Sequence, residues 1–174
     1  MRATYLTGET IYLRAMVAGD KETAAAWYAG PFPINATRAE EWLKEAHTEL
    51  WPNNKPRHYL IARVADDVVV GSATLAFRGN RRGILTFALA PWRDDADLLR
   101  AATLRLIVPW VRDDLELMTL MLITAADEAA TIAAAEDLGM QRAARLRGFV
   151  ARPTGRVDRL LYEALNAPWR VGDA

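Results

Sequence analysis

Apolar and polar positions follow two different periods along this chain, and the switches between them mark its elements. Ile11-Tyr-Leu-Arg14, a run of β-formers behind the turn residue Gly8, predicts a first strand. Asp20 stands as the N-cap of a helix through Ala24, Ala25 and Trp27. Gly30-Pro-Phe-Pro33 stops that helix, because proline disfavours helical geometry in the residue before it. Thr37-Arg-Ala-Glu40 has the hydroxyl and carboxylate of a capping box. The helix it opens carries Trp42, Leu43, Ala46 and Leu50 on one face, and Trp51-Pro-Asn-Asn-Lys-Pro56 is a loop.

Period-two alternation dominates the centre. His58 to Val64, Val68 to Phe77 and Ile84 to Ala90 read as three strands joined by turns at Asp66-Asp67 and Gly79-Asn80, which implies antiparallel pairing. Gly71 inside the longest of these strands predicts a bulge or a close backbone approach. After Pro91, Leu98, Leu99, Ala102, Leu106, Ile107 and Trp110 recur at helical spacing, with Pro109 kinking that helix or sitting in its last turn. Leu115 to Thr124 is nearly continuously apolar, as expected of a strand buried on both faces. Asp127 is placed to cap an alanine-rich helix ending at Leu138-Gly139. Ala144–Ala151 and Val157–Leu165 form a last hairpin around Pro153-Thr-Gly155, and residues 166–174 are expected to be an irregular tail.

The strand–helix–strand unit from Ile84 through Thr124 predicts a parallel pair joined by a crossover. In open sheets, ligands favour the carboxyl ends of such strands where the strand order switches. A site is therefore expected near Ala90-Pro91 and Thr124.

Composition narrows the class. The 174 residues fit a single domain, 1–174, with ordinary globular proportions of 52% hydrophobic and 25% charged residues. The 22 basic residues balance the 22 acidic ones, so no overall basic field points to nucleic acid or to a membrane surface. The absence of cysteine excludes disulfides, thiolate catalysis and Cys-built zinc sites. With neither a signal-peptide pattern at the start nor an apolar stretch of the ~20 residues that span a bilayer, a cytoplasmic location is expected.

Several motifs then fall in order. Gly8, Leu13-Arg14, Asp20 and Trp27 are followed at the other end by Leu138-Gly139-Met140, Arg147, and the Gly-x-x-Asp-x-x-x-Tyr pattern of Gly155, Asp158 and Tyr162. None is specific alone. Their shared order over the chain to about Leu165 resembles the GNAT superfamily of N-acetyltransferases, in particular the subgroup that acetylates N-termini of ribosomal proteins. The resemblance implies an α/β (α+β) fold with a mixed, mostly antiparallel sheet of about seven strands and four flanking helices. It also implies direct acetyl transfer from acetyl-CoA to a small-molecule or peptide amine. A homodimer is left open as a partner state. Two splayed strands, Ile84–Ala90 and Leu115–Thr124, would hold the pantetheine, and the diphosphate would rest on amides at the helix start near Ala96. The cofactor-binding positions it assigns are Leu89, Ala90, Arg93, Ala96, Asp97, Leu98 and Thr131.

The chain departs from the family in two places. Where the family's phosphate loop reads Gln/Arg-x-x-Gly-x-Gly/Ala, this one reads Arg93-Asp-Asp-Ala-Asp-Leu98. Both small positions change and three carboxylates appear, whereas glycine there lets backbone amides approach phosphate closely. A carboxylate about 7 Å from a phosphate charge costs roughly 2 kcal/mol at an effective dielectric near ~20; aspartate is also simply favoured in a first helical turn. In the last helix the family's Asn-x-x-Ser becomes Glu128 and Thr131, and the tyrosine many relatives use as general acid falls at Ala135.

Other candidates each have a plain alternative. His47 and His58 lack metal-ligand partners at suitable spacing. Ser72 and Thr86 are either acceptor-cleft hydroxyls or ordinary strand residues. Glu40, Glu41 and Glu45 are an amine attractor or a solvated helix face, and Trp27, Trp42 and Trp51 are a cleft border or core. No general base is assigned. Two functions remain open: an acetyl-CoA-dependent N-acetyltransferase with a degenerate phosphate loop, and a catalytically inactive GNAT-like module that binds a small ligand or a protein.

Overall fold

The computed structural model describes residues 4–30, 34–47, 56–79, 81–90, 92–115 and 117–166. Eight strands form one sheet: β1 (Thr4–Thr7), β2 (Ile11–Ala15), β3 (Arg57–Arg63), β4 (Val69–Arg78), β5 (Arg82–Leu89), β6 (Thr119–Ala125), β7 (Gln141–Arg152) and β8 (Gly155–Leu165), in the order β1-β2-β3-β4-β5-β6-β8-β7. Every neighbouring pair is antiparallel except β5 and β6. The expected "about seven" strands become eight because Thr4–Thr7 folds back on β2 across a turn in which the Gly8 amide donates to the Ile11 carbonyl at 2.9 Å.

Four α-helices flank the sheet: α1 (Ala24–Trp27), α2 (Ala36–His47), α3 (Ala96–Asp113) and α4 (Ala129–Asp137). Consecutive residues show how the sheet is buried on both faces. Ile61 of β3 belongs to the larger core with Leu85, Leu104, Leu122, Leu160 and Tyr162, whereas its neighbour Leu60 joins Met16, Trp27, Leu43 and Val69 in a second cluster. Side chains alternate across a strand, so these two cores lie on opposite faces.

Several local expectations are corrected. Residues 18–23 form a 3₁₀ turn, and Asp20 does not cap a long helix: it is buried within that turn, and α1 is a single turn ending at Trp27. The carboxylate of Asp20 instead takes both terminal nitrogens of Arg14, at 2.6 and 2.8 Å, and the Val17 amide at 2.7 Å. The main chain continues the anchor. The Asp20 carbonyl accepts from Trp27 Nε1, and the Trp27 carbonyl accepts from Ser72 Oγ at 2.7 Å, which ties the turn, α1 and β4 together. Arg14, Asp20, Trp27 and Ser72 are thus one structural network. The α2 cap is Asn35, whose side-chain oxygen accepts from the Arg38 amide, rather than Thr37; Glu40 pairs with Lys21 and Lys44.

Gly71 is the close approach its strand position implied. A Cβ there would overlap Leu89 and stand 2.6 Å from the Ala88 carbonyl oxygen. The register shifts beside it, with Ile61 opposite Gly71 but Ala62 opposite Val69, so Val70 is the extra residue of a bulge. Pro109 lies inside α3, one turn before its end, so the helix loses one backbone hydrogen bond without stopping. Gly139 closes α4 at φ 78°. Gly30 is described but 31–33 are not, and Leu50, Trp51, Asn80, Pro91, the side chains of Glu45, Ala46 and His47, and the tail after Asn166 also lie outside the described residues.

Candidate functional site: the cleft between β5 and β6

The parallel ladder is short. It pairs Arg82–Leu85 with Thr119–Leu122 and then ends. Beyond that point Thr86–Leu89 follow β4, as far as Leu89 opposite Gly71, while Ile123–Ala125 follow β8. The Val70 bulge adds local twist to β4 beside the place where the two strands part. The result is a wedge whose walls are strand edges without a ladder partner, opening at the carboxyl ends of both strands. A cavity of about 330 Å³ fills it, with Thr86 and Phe87 on one wall, Ile123, Thr124 and Ala125 on the other, and Arg100, Glu128, Val150, Arg152 and Arg159 around them.

Charge in this cleft is organised about Glu128. One oxygen accepts from the Thr124 hydroxyl at 2.5 Å and the Ala125 amide at 3.0 Å. The other takes Arg100 at 3.0 Å and Arg152 at 3.2 Å. Arg152 is shared with Asp127 at 2.8 Å, and that hydrogen bond holds the Asp127 carboxyl below its ordinary range. Glu128 is thereby engaged on both oxygens, by two donors each.

Arg93, Ala96, Asp97 and Leu98 do meet at the start of α3, but their side chains point to different tasks. Arg93 forms a two-pronged pair with Asp95 at 2.5 and 2.7 Å, which lowers the Asp95 pKa. Asp97 turns toward α4: its carboxylate accepts from the Ala130 amide at 2.8 Å, the Thr131 amide at 2.9 Å and the Thr131 hydroxyl at 2.6 Å. The α4 cap therefore comes from α3 rather than from Asp127, which pairs with Arg152 instead. Thr131 is 0% exposed and spends its hydroxyl on Asp97, away from any open cavity. Asp94 is exposed and Leu98 is 65% exposed. Of the three loop carboxylates, only Asp94 is left without a neutralising or capping partner among the described residues. The amides of Ala96, Asp97 and Leu98 have no hydrogen-bond partner there either; Leu99 is the first amide of α3 to find one, the Asp95 carbonyl.

At the end of β5, Leu89 is half-buried over Gly71, and Ala90 is buried with its carbonyl accepting the Arg93 amide at 3.1 Å. Thr86 lines the cleft, whereas Ser72 is buried in the Trp27 anchor. His58 Nδ1 lies 2.9 Å from Thr74 Oγ1 and its ring meets Trp42 edge-on. Trp27 is core. Glu41 pairs with Arg38 on the exposed side of α2. Ala135 is fully buried, so nothing at that position reaches the cleft. Sequence reading missed Arg100, Arg152 and Arg159. Arg152 and Arg159 belong to a run of arginines in the last hairpin, on β7 and β8, whereas Arg100 lies on α3 and has no such signal.

Among the described residues there is no group of three or more side chains suited to a metal ion, and no helix is long and apolar enough to cross a membrane. A second cavity of about 270 Å³ near Val108, Leu117, Leu138 and Leu165 is largely apolar.

No protein-family model and no curated protein matches the chain. Solved structures do. A protein from Sphaerobacter thermophilus, provisionally described as an acetyltransferase, is 47% identical, with 97% of this chain and 99% of that one covered at a TM-score of 0.76. A GNAT-family acetyltransferase from Bacillus anthracis is 10% identical over 92% of this chain and 97% of its own, with a TM-score of 0.66. A Vibrio cholerae protein, provisionally described as a ribosomal-protein-serine acetyltransferase, is 12% identical over 95% and 99%, with a TM-score of 0.64.

Proposed function

The chain belongs to the GNAT superfamily of acetyltransferases, and from that premise we propose that it transfers an acetyl group from acetyl-CoA to a primary amine at the β5–β6 cleft. The observation that carries this reading is the early end of the parallel ladder at Leu85 and Leu122, which leaves two strand edges free to hydrogen-bond an extended ligand.

The residues present fit acetyl-CoA in part. The open edges suit the amide-bearing pantetheine arm, and the three unpartnered amides of Ala96, Asp97 and Leu98 suit a diphosphate. Asp97 opposes such an anion less directly than the sequence suggested, because its carboxylate turns to α4 and caps it. Asp94 and the bulk of Leu98 still do. When bound, acetyl-CoA would supply an acetyl thioester: the amine nitrogen would bond to the carbonyl carbon as the carbon–sulfur bond breaks, with CoA leaving as the thiol after taking up the proton the amine gives up. The chain's own part is to exclude water with Phe87, Ile123 and Val150, and to position the amine against that carbon. With Glu128 engaged on both oxygens and alanine at 135, no side chain here is assigned as acid or base.

The second reading, a non-catalytic GNAT-like binding module, is favoured by Arg93 being engaged with Asp95 and by Asp94 at the helix start. Calorimetric titration with acetyl-CoA separates the two. Micromolar binding supports the enzyme, and no heat at millimolar cofactor sinks it. Asp94→Asn should raise the affinity roughly threefold or more, as expected for one like charge removed near a phosphate. An unchanged affinity would show that Asp94 is not the obstacle.

A further inference from the structure

The chain is formally neutral, yet its last hairpin, residues 141–165, carries six arginines against two acidic residues. Within the cleft lining this surplus resolves to one side chain. Arg100, Arg152, Asp127 and Glu128 form a closed set of two positive and two negative charges. Arg159 has no acidic partner among the described residues. Asp158, beside it on β8, is occupied by Arg145 and by the Gly148 amide.

Arg159 is also held in place. It lies opposite Ala125 on β6 and Leu146 on β7, so it projects from the sheet face that bears Ile123 and Leu161. Its Cζ stands 4.2 Å from the centroid of the Phe149 ring. Stacking on an aromatic face orients the guanidinium plane and leaves its N–H groups free at the edges, which suits a two-pronged grip on an oxyanion. Arg159 lines the cleft opposite Ala125, the last residue of β6 and so at the end where the cleft opens, and the Phe149 ring it stacks on is 53% exposed. A single unanswered positive charge there attracts an anion and repels a polycation.

We propose that the amine acetylated by this protein carries an anionic group, a carboxylate or a phosphate, which Arg159 grips at the mouth of the β5–β6 cleft, and that polyamines are poor acceptors. The word "acceptor" rests on the acetyltransferase reading; the oxyanion grip rests on Arg159 alone.

The test titrates the full chain by calorimetry with paired amines that differ in an anionic group: β-alanine against β-alaninamide, O-phosphoethanolamine against ethanolamine, and spermidine. The anionic member of each pair should bind about fivefold or more tighter than its partner, with spermidine weakest, a margin typical of one charge-assisted contact. The two pairs show whether carboxylate or phosphate is preferred. Arg159→Gln should abolish the preference, and Arg159→Lys should keep part of it. Should Arg159→Gln fail to fold in a melting experiment, the wild-type pairs and Arg159→Lys still decide. Equal binding within the pairs, or an amine preference left intact in Arg159→Gln, overturns the proposal. Failure to bind acetyl-CoA while the Arg159-dependent preference persists overturns the acetyltransferase reading and leaves the anion grip standing.

Discussion

Two arginine–carboxylate clusters in this molecule use the same chemistry to opposite ends. Arg14 and Asp20, at the start of the chain, are 1% and 3% exposed and meet through two hydrogen bonds. Their remaining polar atoms are nearly all claimed, the Arg14 Nε being the buried side-chain atom left without a partner among the described residues. In the cleft, Arg100 and Arg152 share Glu128 at partly exposed positions, and Arg159 nearby is left over. Burial demands that charge be cancelled locally, because an uncompensated buried ion is expensive. Partial exposure relaxes that demand, and the surplus charge becomes available to a ligand. A closed pair fastens β2 to the 3₁₀ turn; an open set tunes a cleft.

The largest expected effect tests the closed cluster. Asp20→Asn leaves Arg14 buried beside a neutral amide and should cost about 3–5 kcal/mol of stability in urea unfolding. A loss below about 1 kcal/mol would mean that water reaches the pair, and the contrast would collapse. Glu128→Gln removes the same charge from the open cluster while keeping an oxygen for the Ala125 amide. Its cost should be smaller, about 1–2 kcal/mol, because Arg152 retains Asp127 and solvent screens the rest. A cost equal to that of Asp20→Asn would show that the cleft network is structural as well.

Asp97→Ala should cost about 1 kcal/mol through loss of the α4 cap, seen as faster amide exchange at Ala130 and Thr131. Unchanged exchange would return Asp97 to the phosphate loop as an obstructing carboxylate. The smallest effect concerns an exposed pair. Hydrogen bonds from Lys21 and Lys44 lower the Glu40 pKa to about 2. Because the folded-state value is depressed, the support Glu40 gives is present above its ordinary carboxylate pKa and is lost as pH falls through about 2. Carboxyl-carbon NMR should place the midpoint there; a midpoint near the ordinary value would show that the lysines do not hold it in solution.

Much of the fold was legible in the residues. The central meander, α3 and the last hairpin each keep one apolar period over enough residues to declare themselves, and Gly71 and Gly139 mark a bulge and a helix end as their positions suggested. The misreadings are equally particular. Asp20, Thr37 and Asp127 each suggest, from local pattern alone, a cap for the helix next in sequence. Asp20 went to Arg14 on an earlier strand, Asn35 took the place of Thr37, and Asp97 supplied the α4 cap from more than thirty residues away. The cleft arginines show the same limit, since α3, β7 and β8 each contribute one.

What the sequence determined by itself was the succession of strands and helices and, through its ordered motifs, the superfamily, because periodicity and turn chemistry act over a few residues. What only the tertiary structure decided was the partner of each charge. The acidic stretch from Asp94 to Asp97 reads as a uniform obstacle to phosphate until the packing of α3 on α4 and the turn at Arg93 dispose of two of its three carboxylates. Arg159 reads as one arginine among many until the sheet sets it in the cleft with no acid among the described residues to answer it. Electrostatic partnership is a matter of distance in space, and distance along the chain does not encode it.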